Sequence, residues 1–127
     1  MRFIPTRIHG VLDYLSGALF IASPYLFGFT ADDTHGPAQW VPQFVGMAVL
    51  LYSLFTNYEL GLFRRLPMPV HLTADLWFAG VFLAASPWLF GFADRVYLPH
   101  VLMGAFSIVA GLCTRKDPVV YSHRHAA

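Results

Sequence analysis

Charge is what this chain has least of. Only 12% of its 127 residues are charged, about half the share usual in a soluble domain, while 57% are apolar. A soluble protein of this size needs more polar surface than that, so the composition points to a lipid surrounding. Cysteine is nearly absent: Cys113 stands alone, which excludes an intramolecular disulfide and a cysteine metal cage. It is expected as a buried, inert thiol. The motifs of soluble enzymes are missing too, with no phosphate loop, no nucleophile elbow and no His-Glu-x-x-His. The net charge is +1, and no basic patch is interleaved with aromatics, so nucleic acid is not an expected partner.

What the chain does have is repetition, which fixes architecture before any local reading. Residues 8–29 read IHGVLDYLSGALFIASPYLFGF, and residues 70–92 read VHLTADLWFAGVFLAASPWLFGF. Each copy sets a His four residues before an Asp, runs through an apolar stretch and closes on Ser-Pro-aromatic-Leu-Phe-Gly-Phe. Four apolar segments follow from this: Arg7–Ser23, Gln39–Thr56, Val70–Ser86 and Leu98–Thr114, each 17 or 18 residues long. As helices they reach roughly 26 Å, a little short of a hydrocarbon core of ~30 Å, and the aromatic tails after Ser23 and Ser86 make up the difference. Arg2, Arg7, Arg64, Arg65, Arg115, Lys116 and Arg124 fall in the N-terminus, the central connection or the tail, whereas only Arg95 lies on the opposite side with Asp32, Asp33 and Asp94. The positive-inside rule then puts both termini in the cytoplasm. The first thirty residues resemble a secretory signal, but Asp13 interrupts the apolar run and the design recurs in mid-chain, so a structural helix is expected.

Pro24 and Pro87 are expected to break their helices, with Ser23 and Ser86 as N-caps of a new short turn and Tyr25, Phe27, Phe29, Trp88, Phe90 and Phe92 at the outer interface. The loop 30–38 is polar, with His35 in water; His123 and His125 lie in a loose tail. Between residues 57 and 69, Leu60, Leu62, Phe63 and Leu66 beside Arg64 and Arg65 suggest a segment on the membrane surface. Gly17 matches Gly80 and Gly46 matches Gly104, and these with Ser107 and Gly111 mark close helix packing, within the bundle or at a dimer interface. Asp13 to Gly17 is four residues and Asp75 to Gly80 is five. One extra residue turns a regular helix by about 100°, so a π-bulge is predicted between Leu76 and Gly80.

The His-x-x-x-Asp pairs are the candidate site. His9 and Asp13 share one helical face, as do His71 and Asp75. If the repeats run parallel, the two His lie at one depth and the two Asp about 6 Å deeper. Intramembrane ionisable groups face a partner or a cavity. Several readings follow. In a structural one, each Asp is held by a neighbouring helix end or by Arg7, and each His sits at headgroup level. In a second, the four groups hold a metal, or the two His ligate a haem. In a third, they form the cytoplasmic mouth of a proton or solute path whose outer end is His100, with Gln43 near the matching place in the first copy.

Ala84-Ala85-Ser86-Pro87-Trp88-Leu89-Phe90-Gly91-Phe92 resembles the signature of the SPW-repeat membrane proteins of bacteria and archaea. Ser23-Pro24-Tyr25 is a variant that keeps an amphipathic ring. The resemblance spans nearly the whole chain and implies an integral protein of a prokaryotic plasma (inner) membrane; it carries no catalytic residues. The expected fold is therefore an all-α membrane protein of four transmembrane helices, built as two parallel duplicated hairpins with interfacial turns at the Ser-Pro-aromatic motifs. One domain covers residues 1–127, with repeats at 5–58 and 67–116 and a polar tail at 117–127. A structural or accessory membrane subunit is the expected role, with self-association or membership of a larger membrane complex. Enzymatic activity of its own is not expected, and no cofactor is specified.

Overall fold

A computed structural model describes residues 1–30 and 36–117. His35, His123 and His125 lie outside the described residues. Four helices follow in order: α1 (Thr6–Leu26), α2 (Pro37–Leu54), α3 (Met68–Leu89) and α4 (Leu98–Cys113). No strand occurs among the described residues, only two isolated bridges. Proline starts every helix: Pro5 and Pro67 precede α1 and α3 in extended conformation, while Pro37 and Pro99 occupy the first turn of α2 and α4. A first-turn N–H has no partner within the helix, so proline forfeits nothing there. Only α3, at 22 residues, has both the length and the apolar character of a membrane span; α4 is apolar but has 16 residues.

The Ser-Pro motifs do not break the helices. α1 continues through Pro24 to Leu26 and α3 through Pro87 to Leu89. Proline at position i lacks the donor that would serve the carbonyl at i−4. Here the preceding serine serves it instead: Ser23 Oγ donates to the Phe20 carbonyl at 2.8 Å and Ser86 Oγ to that of Leu83 at 2.7 Å. Each helix then stops on a glycine of positive φ, Gly28 at 73° and Gly91 at 75°. The amides of Phe29 and Phe92 reach back to the carbonyls of Pro24 and Pro87 at 2.9 and 2.8 Å, which is the Schellman stop. Tyr25, Phe27, Trp88 and Phe90 remain exposed, as expected of interfacial rings. Phe29 and Phe92 do not; the glycine turns both inward until they are buried.

The extra residue of the second half is absorbed where the sequence placed it. α3 is regular over Met68–Ala74, π-helical over Asp75–Phe82 and regular again over Leu83–Leu89. α1 packs on α2 and α3 on α4 through the matched glycines. A Cβ on Gly46 would stand 2.5 Å from the Gly17 carbonyl oxygen, and one on Gly104 would stand 2.6 Å from that of Gly80. Phe20, Val41, Val45, Val49, Ala79, Leu83 and Met103 fill the centre.

The two halves exchange their ends. Residues leading into α1 pair with those leaving α4: Ile4 N–H donates to Cys113 O and Arg115 N–H to Ile4 O, both at 2.9 Å. Residues leading into α3 pair in the same way with those leaving α2: Leu66 N–H donates to Phe55 O at 2.6 Å and Asn57 N–H to Leu66 O at 2.7 Å. Within this connection Tyr58 is fully buried, packed with Leu60, Met68 and Leu72, while Leu62 and Phe63 are exposed. Arg2, Arg7, Arg64, Arg65, Arg115 and Lys116 thus gather at one end of the bundle.

Candidate functional site

α1 and α3 bring the two His-x-x-x-Asp faces together at that basic end. The spacing of four puts His9 above Asp13 and His71 above Asp75, and all four are buried, none more than 4% exposed. His9 Nε2 lies 2.6 Å from Asp75 Oδ2 and 3.1 Å from Asp13 Oδ1. His71 Nε2 lies 3.0 Å from Asp13 Oδ2 and 3.2 Å from Asp75 Oδ2. The His9–Asp75 contact is an aligned hydrogen bond. Close as they are, neither carboxylate is aligned with His71 Nε2, which has no hydrogen-bond partner. One ligand-type atom from each residue falls within 4.8 Å of all the others.

Two threonines fix the imidazoles. Thr114 Oγ1 stands 2.7 Å from His9 Nδ1, and Thr56 Oγ1 stands 2.6 Å from His71 Nδ1. Each hydroxyl donates its single proton down its own helix, Thr114 to Ala110 O and Thr56 to Tyr52 O, both at 2.6 Å. It can therefore only accept from the ring, so each Nδ1 carries hydrogen and each Nε2 faces the carboxylates. Two tyrosines fix the carboxylates: Tyr52 donates to Asp75 Oδ1 and Tyr58 to Asp13 Oδ2, the latter at 2.8 Å. Burial, and then the Asp13 carboxylate, push the Tyr58 phenol upward, so it keeps the proton it donates. Two imidazoles facing two carboxylates offset one another's burial.

The structure corrects several expectations. Neither Asp is held by Arg7, which is exposed, and both His are buried inside the bundle. Each Asp stands a helical turn beyond its His, yet the side chains meet, because each pair also reaches across to the other half. A haem does not fit: the rings of His9 and His71 meet edge to face with centroids 5.4 Å apart, and the carboxylates crowd both Nε2 atoms. His100 is buried away from the quartet's ion pairs. Its Nε2 donates to Ala38 O at 2.9 Å, the carbonyl that Pro42 leaves without a helical donor. Phe29 and Phe92 flank its ring at 5.1 and 4.9 Å.

Thr56, Thr114, Tyr52 and Tyr58 were not legible as site residues. The threonines had a signal, since each falls ten residues after a matched glycine, Gly46 or Gly104. The tyrosines had none, because the second half carries Ala110 and Lys116 at their places. No curated protein and no solved structure matches the chain. The model of one family, the SPW repeat domain, matches residues 7–114. That stretch runs from Arg7 in the first turn of α1 to Thr114, which orients His9, and it includes both Ser-Pro motifs; the chain belongs to the SPW repeat family.

Proposed function

We propose that this chain is a four-span protein of a prokaryotic plasma membrane, with both termini cytoplasmic, and that it serves as a structural or accessory membrane subunit. The observation that carries the reading is its inside-out polarity. Leu15, Phe44, Leu51, Trp77, Leu102 and Val109 are exposed along the four helices, while His9, Asp13, Ser23, Ser53, His71, Asp75, Ser86, His100 and Ser107 are buried. Water favours the opposite arrangement, and lipid favours this one. The gathering of basic residues at one end supports the orientation.

An accessory role is supported by an open seam. α2 packs against α3, but on the other side α1 and α4 part around an apolar groove of about 530 Å³, lined by Leu15, Leu19, Phe27, Leu98, Leu102 and Phe106. A helix of a neighbouring subunit would close it. The quartet, in this reading, is the polar clamp between the halves.

Single cysteines in a Cys113→Ser background test both parts. Leu62→Cys should react with an impermeant thiol reagent only from the cytoplasmic face, and Phe90→Cys only from the other. Extraction of the protein by alkaline carbonate would overturn the spanning reading. Leu102→Cys should cross-link in native membranes to a neighbour, and a monomer throughout would overturn the accessory role.

A further inference from the structure

We propose that the quartet is a binding site for a divalent transition ion of the zinc class, held by His9 Nε2, His71 Nε2 and one oxygen from each of Asp13 and Asp75. The inference concerns the chain's own donors and stands apart from the membrane reading. Two imidazole nitrogens and two carboxylate oxygens are a full tetrahedral set for such an ion, and four protein ligands with no open position describe a closed, stabilising site.

Three features beyond the donor list point to a metal. The first is the orientation of the rings. A metal-binding imidazole needs its second nitrogen occupied by a hydrogen-bond acceptor that fixes tautomer and plane. Thr114 and Thr56 are acceptors of that kind, each with its own proton committed to a carbonyl. The second is the division of labour at the carboxylates. Tyr52 occupies Asp75 Oδ1 and Tyr58 donates to Asp13 Oδ2, leaving Asp75 Oδ2 and Asp13 Oδ1 without a tyrosine and turned toward His9 Nε2. The third is His71 Nε2, fully buried and aimed into the cluster, with carboxylate oxygens at 3.0 and 3.2 Å but no aligned hydrogen bond to either. A buried nitrogen whose nearest acceptors are poorly aligned is costly, and an ion between the nitrogen and the carboxylates would satisfy both.

Space and charge agree. About 10 Å³ of free volume adjoins the cluster, bordered by His9, Asp13, Ser16, Asp75 and Ser107. Tetrahedral coordination at about 2.0–2.2 Å sets ligand atoms roughly 3.3–3.6 Å apart. The four N···O separations, 2.6 to 3.2 Å, must therefore open, by about 0.1 Å for the longest and up to about 1 Å for the shortest. Two carboxylates balance the two charges of the ion, so the occupied site is neutral.

Cobalt(II) is the probe. Detergent-purified, chelator-treated protein is titrated with it, following the visible bands of tetrahedral cobalt and the competition by zinc. One equivalent per chain is expected, with the bands abolished in His71→Gln and in Asp75→Asn. Thr56→Val and Thr114→Val keep all four ligands and remove only their orientation, and each should weaken binding about 10- to 100-fold. No uptake of either ion by the wild-type protein overturns the proposal, as does uptake that His71→Gln leaves unchanged. Should that variant fail to fold, unaltered affinity in both threonine variants overturns it equally.

Discussion

A proline inside a helix leaves a carbonyl without its donor, and this chain meets that need three times with a side chain. Ser23 serves Phe20, Ser86 serves Leu83, and His100 serves Ala38 across the bundle. The serine of the repeated motif is thus chemically tied to the proline after it. Ser86→Ala should leave a buried carbonyl unpaired and destabilise the fold by about 1–3 kcal/mol. In a Pro87→Ala background the restored backbone N–H does the same work, so Ser86→Ala should there cost less than half as much. Thermal unfolding of the four proteins in one detergent reads this cycle. Equal costs in both backgrounds would mean that the serine acts through some other contact. None of this coupling was visible in the residues alone, where a Ser-Pro pair reads most simply as a helix start. The deciding fact is tertiary: the helix gains enough from burying Phe29 and Phe92 around His100 that it continues to the glycine.

Among the elements, α3 makes a sharper case. The count between Asp75 and Gly80 exceeds its counterpart by one, and register alone required the surplus to be absorbed before Gly80 met α4. That part was legible, because a helix cannot rotate by about 100° and keep both faces buried. The length of the π-helical segment, Asp75–Phe82, was not, since strain spreads according to packing. Deleting the exposed Trp77 should convert the segment to regular α-helix while leaving His71, Asp75, Gly80 and Ser86 facing as they do now. The shortened protein should fold and unfold within several degrees of the parent. Deleting Leu15, equally exposed on α1, has no such slack and should abolish folding, because everything from Gly17 to Phe29 turns away from its partners. Size-exclusion profiles and unfolding midpoints of the two deletions decide it; matching outcomes would show that the π segment is not a register device.

For the molecule as a whole, most of the contacts that define the site are exchanges between halves. His9 of the first half is held by Thr114 and Asp75 of the second, and His71 of the second by Thr56 and Asp13 of the first. The extended residues before α1 pair with the end of α4, and those before α3 with the end of α2. Matching His-Asp faces were readable in the sequence, but this crossing was not, since the pattern of one copy says nothing about whether its partners come from itself or from the other. The crossing implies that neither half can satisfy its buried charges alone, and an imidazole or carboxylate stranded in an apolar bundle costs several kcal/mol. The chain should therefore tolerate a cut but not a separation. Residues 1–62 and 63–127, divided between the exposed Leu62 and Phe63, should each be degraded when expressed alone and should co-purify as a stable pair when expressed together. Asp75→Asn in the second fragment should destroy the pairing, because it removes half of the negative charge that both histidines face. A first fragment that accumulates in stable, folded form without the second would mean that the quartet joins two halves already able to stand apart.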